Sequence, residues 1–103
     1  MELQQSLNAF VKLGDFLSQF TDTPRGAEID STFKDGFKHQ LKLAQEHNGW
    51  FTTNNLKFAL QSWSEALTEN NLKTWTDQYT FGTTDAKTIA IIMAGNIPLV
   101  GFH

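Results

Sequence analysis

The residues best suited to chemistry form a short turn near the end of the sequence, Gly95-Asn96-Ile97-Pro98. The turn follows an apolar run at residues 89–94, which is typical of a strand buried on both faces. A carboxamide at the carboxyl end of such a strand lies where open α/β sheets bind ligands, and its N–H could donate to a developing oxyanion. Asn96 also suits a turn before a helix that starts at Pro98, and the spacing alone favours this structural role.

The other chemistry-bearing residues are predicted to be structural or solvated. His39 and His47 are separated by eight positions and His103 is the last residue, whereas helical metal pairs usually sit about four apart with a third ligand nearby. The 11 acidic residues are scattered, which is typical of surface charge. We therefore predict no metal site. Because basic neighbours for base stacking are missing, core positions are predicted for Trp50, Trp63 and Trp75.

Composition narrows the class of protein. A chain of 103 residues that is 40% hydrophobic can bury one core. A net charge of −3 and a pI near 5.4 argue against nucleic acid or an anionic membrane as partner. Without cysteine there are no disulfides, thiolate metal sites or cysteine nucleophiles in these residues. The sequence begins without the features of a signal peptide and has no apolar run near the roughly 20 residues of a membrane span, so we expect a cytoplasmic protein.

Two helices are predicted from apolar residues that recur at helical spacing. The first covers residues 2–20. After a polar loop, Asp30 or Ser31 caps the second helix. Asn48-Gly49 ends that helix, with Gly49 able to adopt a positive φ and Trp50 able to fold back on the helix. The apolar stripe of the second helix is Phe33, Phe37, Leu41 and Ala44.

Two further helices are predicted from a short polar pattern that occurs twice. Thr52 and Thr68 each begin one copy and each cap a helix. The first of these helices carries an amphipathic stripe at residues 56–67. The second is shorter and is predicted to turn Leu72, Trp75 and Tyr79 inward.

The predicted fold is mainly α, with about four helices and one C-terminal β-strand. A parallel sheet needs further strands joined by crossover helices, and residues 1–103 supply none. The chain is therefore predicted to be a piece of a larger α/β protein. Residues 1–86 would form a helical N-terminal region, and residues 87–103 the first strand and turn of a truncated cofactor-binding domain.

Three stretches carry a resemblance to a known family: Asn-Gly-Trp-Phe-Thr at 48–52, Phe-Ala-Leu-Gln-Ser-Trp at 58–63, and the terminal segment at 88–103. Together they resemble the N-terminal region of bacterial acyl-CoA reductases of the luminescence type, a branch of the aldehyde dehydrogenase superfamily. The similarity runs from about Phe33 to the end of the sequence. In aldehyde dehydrogenases the first strand of the cofactor domain leads into a Pro-Trp-Asn-Phe-Pro-like turn. This chain retains the Asn-x-Pro spacing, as Asn96 and Pro98.

The resemblance implies a function for the terminal turn. It implies NADPH-dependent reduction of a fatty acyl-CoA to an aldehyde through an acyl group bound to cysteine. Asn96 would be the catalytic residue of this segment, its amide holding the oxyanion of the thiohemiacetal. The cysteine and the general base would lie beyond His103, so this chain alone would be inactive. The resemblance places three residues beside the cofactor: Ala94, Gly95 and Pro98.

A second hypothesis belongs to another class of protein. The chain could be a complete, small helical interaction module whose C-terminal strand adds to the sheet of a partner. Under either hypothesis an uncovered apolar strand exposes unpaired backbone groups. We therefore predict a homo-oligomer that forms through residues 88–102, with the helical stripe at 56–67 as the receiving surface.

Overall fold

The computed structural model describes residues 2–82 and 85–100. The prediction of a mainly helical fold with four helices is confirmed. None of the helices in the described part of the chain is long and apolar enough to cross a membrane. In chain order the helices are α1 (Leu3–Ser18), α2 (Ser31–His47), α3 (Thr53–Ala66) and α4 (Glu69–Thr76).

The predicted capping residues form the starts of three helices. The side chain of Asp30 accepts a backbone N–H two residues later, at 2.8 Å, at the start of α2. The hydroxyl of Thr52 accepts the N–H of Asn55 at 3.2 Å, and that of Thr68 accepts the N–H of Asn71 at 3.3 Å. Each such cap stabilises its helix by about 1 kcal/mol relative to alanine. Local sequence therefore explains where α2, α3 and α4 begin.

The end of α2 differs from the prediction. Asn48 is extended, with φ at −141°, and Gly26 rather than Gly49 is the described glycine with a positive φ. The side-chain Oδ1 of Asn48 accepts the N–H of Trp50 at 3.0 Å, so a side-chain turn replaces the left-handed glycine ending. Trp50 is 66% exposed, so its predicted core position is wrong.

The core forms where α1 packs against α3 and α4. The predicted stripe at 56–67 is confirmed at its leucines, since Leu56, Leu60 and Leu67 are buried. Leu60 and Leu67 meet Leu17 of α1 and Leu72 of α4. This packing covers the apolar sides of three helices with one another.

α2 is attached to this core through an aromatic cluster. Phe37 contacts Phe16 of α1 and Phe20, which follows α1, with ring centroids 5.2 Å and 4.6 Å away. No described residue of α2 is fully buried, and Phe33 is 71% exposed, so the predicted stripe is wrong at that position. α2 consequently covers the core only in part.

The loop between α1 and α2 is tied to both α1 and α3. The Oγ of Ser18 accepts the N–H of Arg25 at 3.0 Å. The guanidinium of Arg25 pairs with Asp15 at 2.9 Å and donates to the carbonyl of Leu67 at 3.4 Å. Gly26 follows with φ at 79° against the side chain of Asp15, a backbone conformation that glycine adopts without steric cost. These contacts hold the loop against the α1–α3 junction.

The predicted C-terminal strand is not formed within residues 2–82 and 85–100. Residues 89–94 have no regular secondary structure and are exposed. A strand requires the backbone of a neighbouring strand for its hydrogen bonds, and the described part of the chain offers none. Residues 95–100 form turns, so no helix begins at Pro98 within this range. Residues 101–103 of the predicted segment lie outside the described residues.

Candidate functional site: an amide-bearing turn beside an apolar cleft

The turn that carries Asn96 lies against the connection between α2 and α3. The Nδ2 of Asn48 donates to the carbonyl of Gly95 at 2.9 Å, across 47 positions of sequence. Since the Oδ1 of Asn48 accepts the N–H of Trp50, both ends of this carboxamide are engaged. Asn55 of α3 donates to the carbonyl of Trp50 at 2.8 Å. A continuous set of hydrogen bonds therefore connects α3 to the peptide that precedes Asn96.

Pro98 and Leu99 attach the other end of the turn. Both line a cavity of about 270 Å³ together with Phe37, Leu41 and Leu56, among other residues of α2 and α3. Leu99 is half-buried and packs against the core, although its φ of 59° lies in the left-handed region. That conformation costs a leucine about 1–2 kcal/mol. The apolar contacts of Leu99 must offset this cost for the turn to stay attached.

Asn96 borders an apolar cleft of about 450 Å³ on another side of the turn. The cleft is walled by Phe58 and Trp63 of α3 and by Ile97 of the turn. Asn96 is exposed, and its carboxamide makes no hydrogen bond to another residue of the described part of the chain. A free amide beside apolar walls suits a ligand that has an apolar portion next to a carbonyl or oxyanion.

The three residues implied in cofactor binding have small or apolar side chains. Ala94 and Gly95 are exposed, and a Cβ added at Gly95 would meet no atom within 4 Å. Pro98 lines both the cleft beside Asn96 and the cavity on the α2 side. Ala94 and Gly95 leave open space beside the turn, and none of the three residues presents a bulky group. They supply no charged group for a dinucleotide phosphate.

The histidines are not brought together. His39 and His47 are exposed on α2, and His103 lies outside the described residues. Within residues 2–82 and 85–100 no group of three or more His, Cys, Asp and Glu could hold a metal ion.

A second apolar groove, of about 450 Å³, lies between α1, α3 and α4. Sequence analysis missed it because Trp75 was assigned to the core, whereas the structure leaves Trp75 53% exposed. Tyr79, also predicted to point inward, is 59% exposed. The groove includes Phe10, Trp63, Leu67, Leu72 and Trp75 among its lining residues.

Asn48 is the residue of the candidate site that sequence analysis overlooked. The Asn48-Gly49 pair was recognised as a helix ending, which accounts for its local role. The second role, at Gly95, depends on a contact between residues 47 positions apart. Local spacing carries no signal for such a contact.

Comparison of the chain with protein-family models, with curated proteins and with solved structures finds no match.

Proposed function

We propose that this chain is the N-terminal helical part of an acyl-CoA reductase that reduces a fatty acyl thioester to an aldehyde with NADPH. Residues 1–86 would form the helical region. Residues 87–103 would become the first strand and turn of the cofactor domain once another strand supplies the backbone partner that residues 89–94 lack here. The chain contributes one oxyanion donor, Asn96, to an active site completed by other parts of the protein. It contains no cysteine, so the acyl-accepting thiol belongs to those other parts.

The observation that carries this proposal is the position of the Asn96 carboxamide. It is exposed on a turn that is held at both sides, by Asn48 and by Leu99. It also borders an apolar cleft walled by Phe58 and Trp63. An oxyanion donor requires this combination of a fixed backbone, a free N–H and nearby space for an apolar substrate.

The reaction assigns a defined task to Asn96. A thiolate attacks the thioester carbonyl, the C–S bond to coenzyme A breaks, and the acyl group becomes bound to the enzyme as a new thioester. During each attack on the carbonyl carbon its oxygen gains negative charge. The Nδ2 of Asn96 donates a hydrogen bond to that oxygen. NADPH supplies the hydride when bound, and Ala94, Gly95 and Pro98 leave room for the nicotinamide beside the turn.

The test uses the full reading frame that contains this chain. NADPH oxidation is measured with a fatty acyl-CoA for the wild type and for Asn96→Ala. We expect Asn96→Ala to lower the rate by roughly 10²- to 10³-fold, as loss of one oxyanion donor does. Folding should be unchanged, because the Asn96 side chain is exposed. The isolated chain should show no turnover.

Asn54→Ala serves as the matched control, since Asn54 is an exposed asparagine in the first turn of α3. It should retain the wild-type rate. If Asn96→Ala has the same rate as Asn54→Ala, Asn96 is only a turn residue and not an oxyanion donor. Turnover by the isolated chain above a heat-treated sample would contradict the proposal as a whole.

A second candidate function is that of an interaction module that associates through its C-terminal segment. One specific observation favours it. Ile89 and Ile92 are 79% and 101% exposed, and a backbone without regular structure at 89–94 is free to pair with another strand. A stable monomer with reductase activity in the full reading frame would favour the first function over this one.

A further inference from the structure

We propose that Asn48 is the positioning residue of the Asn96 turn. This inference rests on the proposed function of Asn96 as an oxyanion donor. Asn48 does not border the cleft that would receive substrate. It acts through the peptide bond between Gly95 and Asn96, whose carbonyl oxygen it holds at 2.9 Å.

The peptide plane explains how this contact controls Asn96. The carbonyl of Gly95 and the N and Cα of Asn96 lie in one rigid plane, because the peptide bond does not rotate freely. A hydrogen bond to the carbonyl oxygen therefore restrains the rotation of that plane. The plane in turn sets where the Cα of Asn96 lies and hence where its side chain starts.

Asn48 suits this role because its carboxamide has a donor at one end and an acceptor at the other. The acceptor is fixed by the N–H of Trp50 at 3.0 Å, which leaves the donor for the carbonyl of Gly95. The segment between α2 and α3 is also held to α3, since Asn55 donates to the carbonyl of Trp50 at 2.8 Å. Hydrogen bonds within the α2–α3 connection therefore hold the Asn48 carboxamide in place beside the turn.

Loss of the Asn48 contact should alter orientation more than attachment. Pro98 and Leu99 still pack against α2 and α3 when the hydrogen bond to Gly95 is missing. The turn would stay on the protein, while the peptide plane before Asn96 would rotate more freely. The expected effect is consequently on kcat, with the thermal midpoint and KM near their wild-type values.

The selective variant is Asn48→Asp. An aspartate at this position still accepts the N–H of Trp50, so the local turn is retained. Its second oxygen replaces the donor and faces the carbonyl oxygen of Gly95, which turns an attraction into a repulsion. Asn54→Asp is the matched control, because it makes the same change of charge at an exposed asparagine six positions away.

The first measurement is steady-state kinetics of the full reading frame with NADPH and a fatty acyl-CoA. We expect Asn48→Asp to lower kcat by roughly 10- to 100-fold, the range that a small misplacement of a catalytic group produces. KM should stay with that of Asn54→Asp. The thermal midpoint should fall only slightly below the wild-type value, because the new charge lies at the C-terminal end of α2. An unchanged kcat in Asn48→Asp, alongside a reduced kcat in Asn96→Ala, would overturn the positioning role and leave the proposed function standing.

The second measurement uses the 103-residue chain and needs no activity. Nuclear Overhauser contacts between the side-chain amide protons of Asn48 and the α protons of Gly95 should appear in the wild type. Their absence in the wild type would overturn the inference irrespective of the kinetics. If the contacts are present but the wild-type full reading frame shows no reductase activity, the proposed function fails, and the catalytic part of this inference fails with it.

Discussion

Two buried serines differ in the hydrogen bonds that their hydroxyl groups make. Ser18 and Ser64 are 0% and 1% exposed. The Oγ of Ser18 accepts the N–H of Arg25 in the α1–α2 loop and donates to the carbonyl of Asp15. The Oγ of Ser64 donates to the carbonyl of Gln61, one turn earlier in its own helix. Only Ser18 satisfies a backbone donor from another element.

We expect Ser18→Ala to lower the free energy of unfolding by about 1–3 kcal/mol, because the N–H of Arg25 then loses its acceptor in a part-buried site. Ser64→Ala should change it by about 0.5 kcal/mol or less, since a helical carbonyl keeps its backbone partner and alanine favours helix. Urea unfolding, followed by tryptophan fluorescence, measures the free energy of unfolding of both variants. An equal decrease in the free energy of unfolding in the two variants would contradict these different roles.

At the scale of elements, the approach of α1 to α3 depends on a glycine. A Cβ added at Gly14 would lie 2.8 Å from both the guanidinium of Arg25 and the Cβ of Leu67, closer than real Cβ atoms approach their neighbours. A Cβ added at Gly36 in α2 would meet no atom within 4 Å. Two glycines inside helices therefore differ completely in their surroundings.

The two glycines should respond to alanine with opposite signs. Gly14→Ala should destabilise the fold by about 1–3 kcal/mol, because the added methyl group forces α1 away from Leu67. Gly36→Ala should stabilise it by about 0.5–1 kcal/mol, because alanine loses less backbone entropy in a helix. Thermal unfolding of both variants by circular dichroism measures the difference. A higher midpoint for Gly14→Ala would show that the helices are not in close contact there.

At the scale of the whole molecule, the apolar C-terminal segment remains uncovered. Four large side chains at residues 89–94 are at least half exposed, and burial of each would stabilise the protein by at most about 1.5–3 kcal/mol. The helical stripe at 56–67, predicted to receive this segment from a second copy, is unsuitable because Leu60 and Leu67 are already buried against α1 and α4. Pairing of two such segments is the remaining route. The four side chains are Ile89, Ile91, Ile92 and Met93.

We expect the isolated chain to self-associate at micromolar concentration through residues 88–102. Two segments that pair would form the predicted strand, since each supplies the backbone partner that the other lacks. Sedimentation should show a dimer for the wild type and a monomer for Ile92→Asp. Phe33→Asp is the control, because Phe33 is 71% exposed on α2, outside the segment, and this variant should stay dimeric.

A wild-type chain that sediments as a monomer at these concentrations would contradict self-association. A dimer that survives Ile92→Asp would place the interface elsewhere on the molecule. The apolar groove beside Trp75 would then be the next surface to substitute.

The sequence by itself determined the four helices and most of their starts. Helical periodicity and side-chain caps act within a few residues, so Asp30, Thr52 and Thr68 could be assigned from local sequence alone. The turn at Asn96 could also be located, because glycine, asparagine and proline restrict the backbone locally.

Only the tertiary structure decided which surfaces are covered. Periodicity shows which face of a helix is apolar, but not whether another element packs on it, and so Phe33, Trp50 and Trp75 were placed in a core that does not reach them. The strand predicted at 89–94 is not formed for the same reason, since its hydrogen bonds need a backbone partner that the described residues do not supply. The contact of Asn48 with Gly95 spans 47 positions and exists only because the chain returns to the α2–α3 connection.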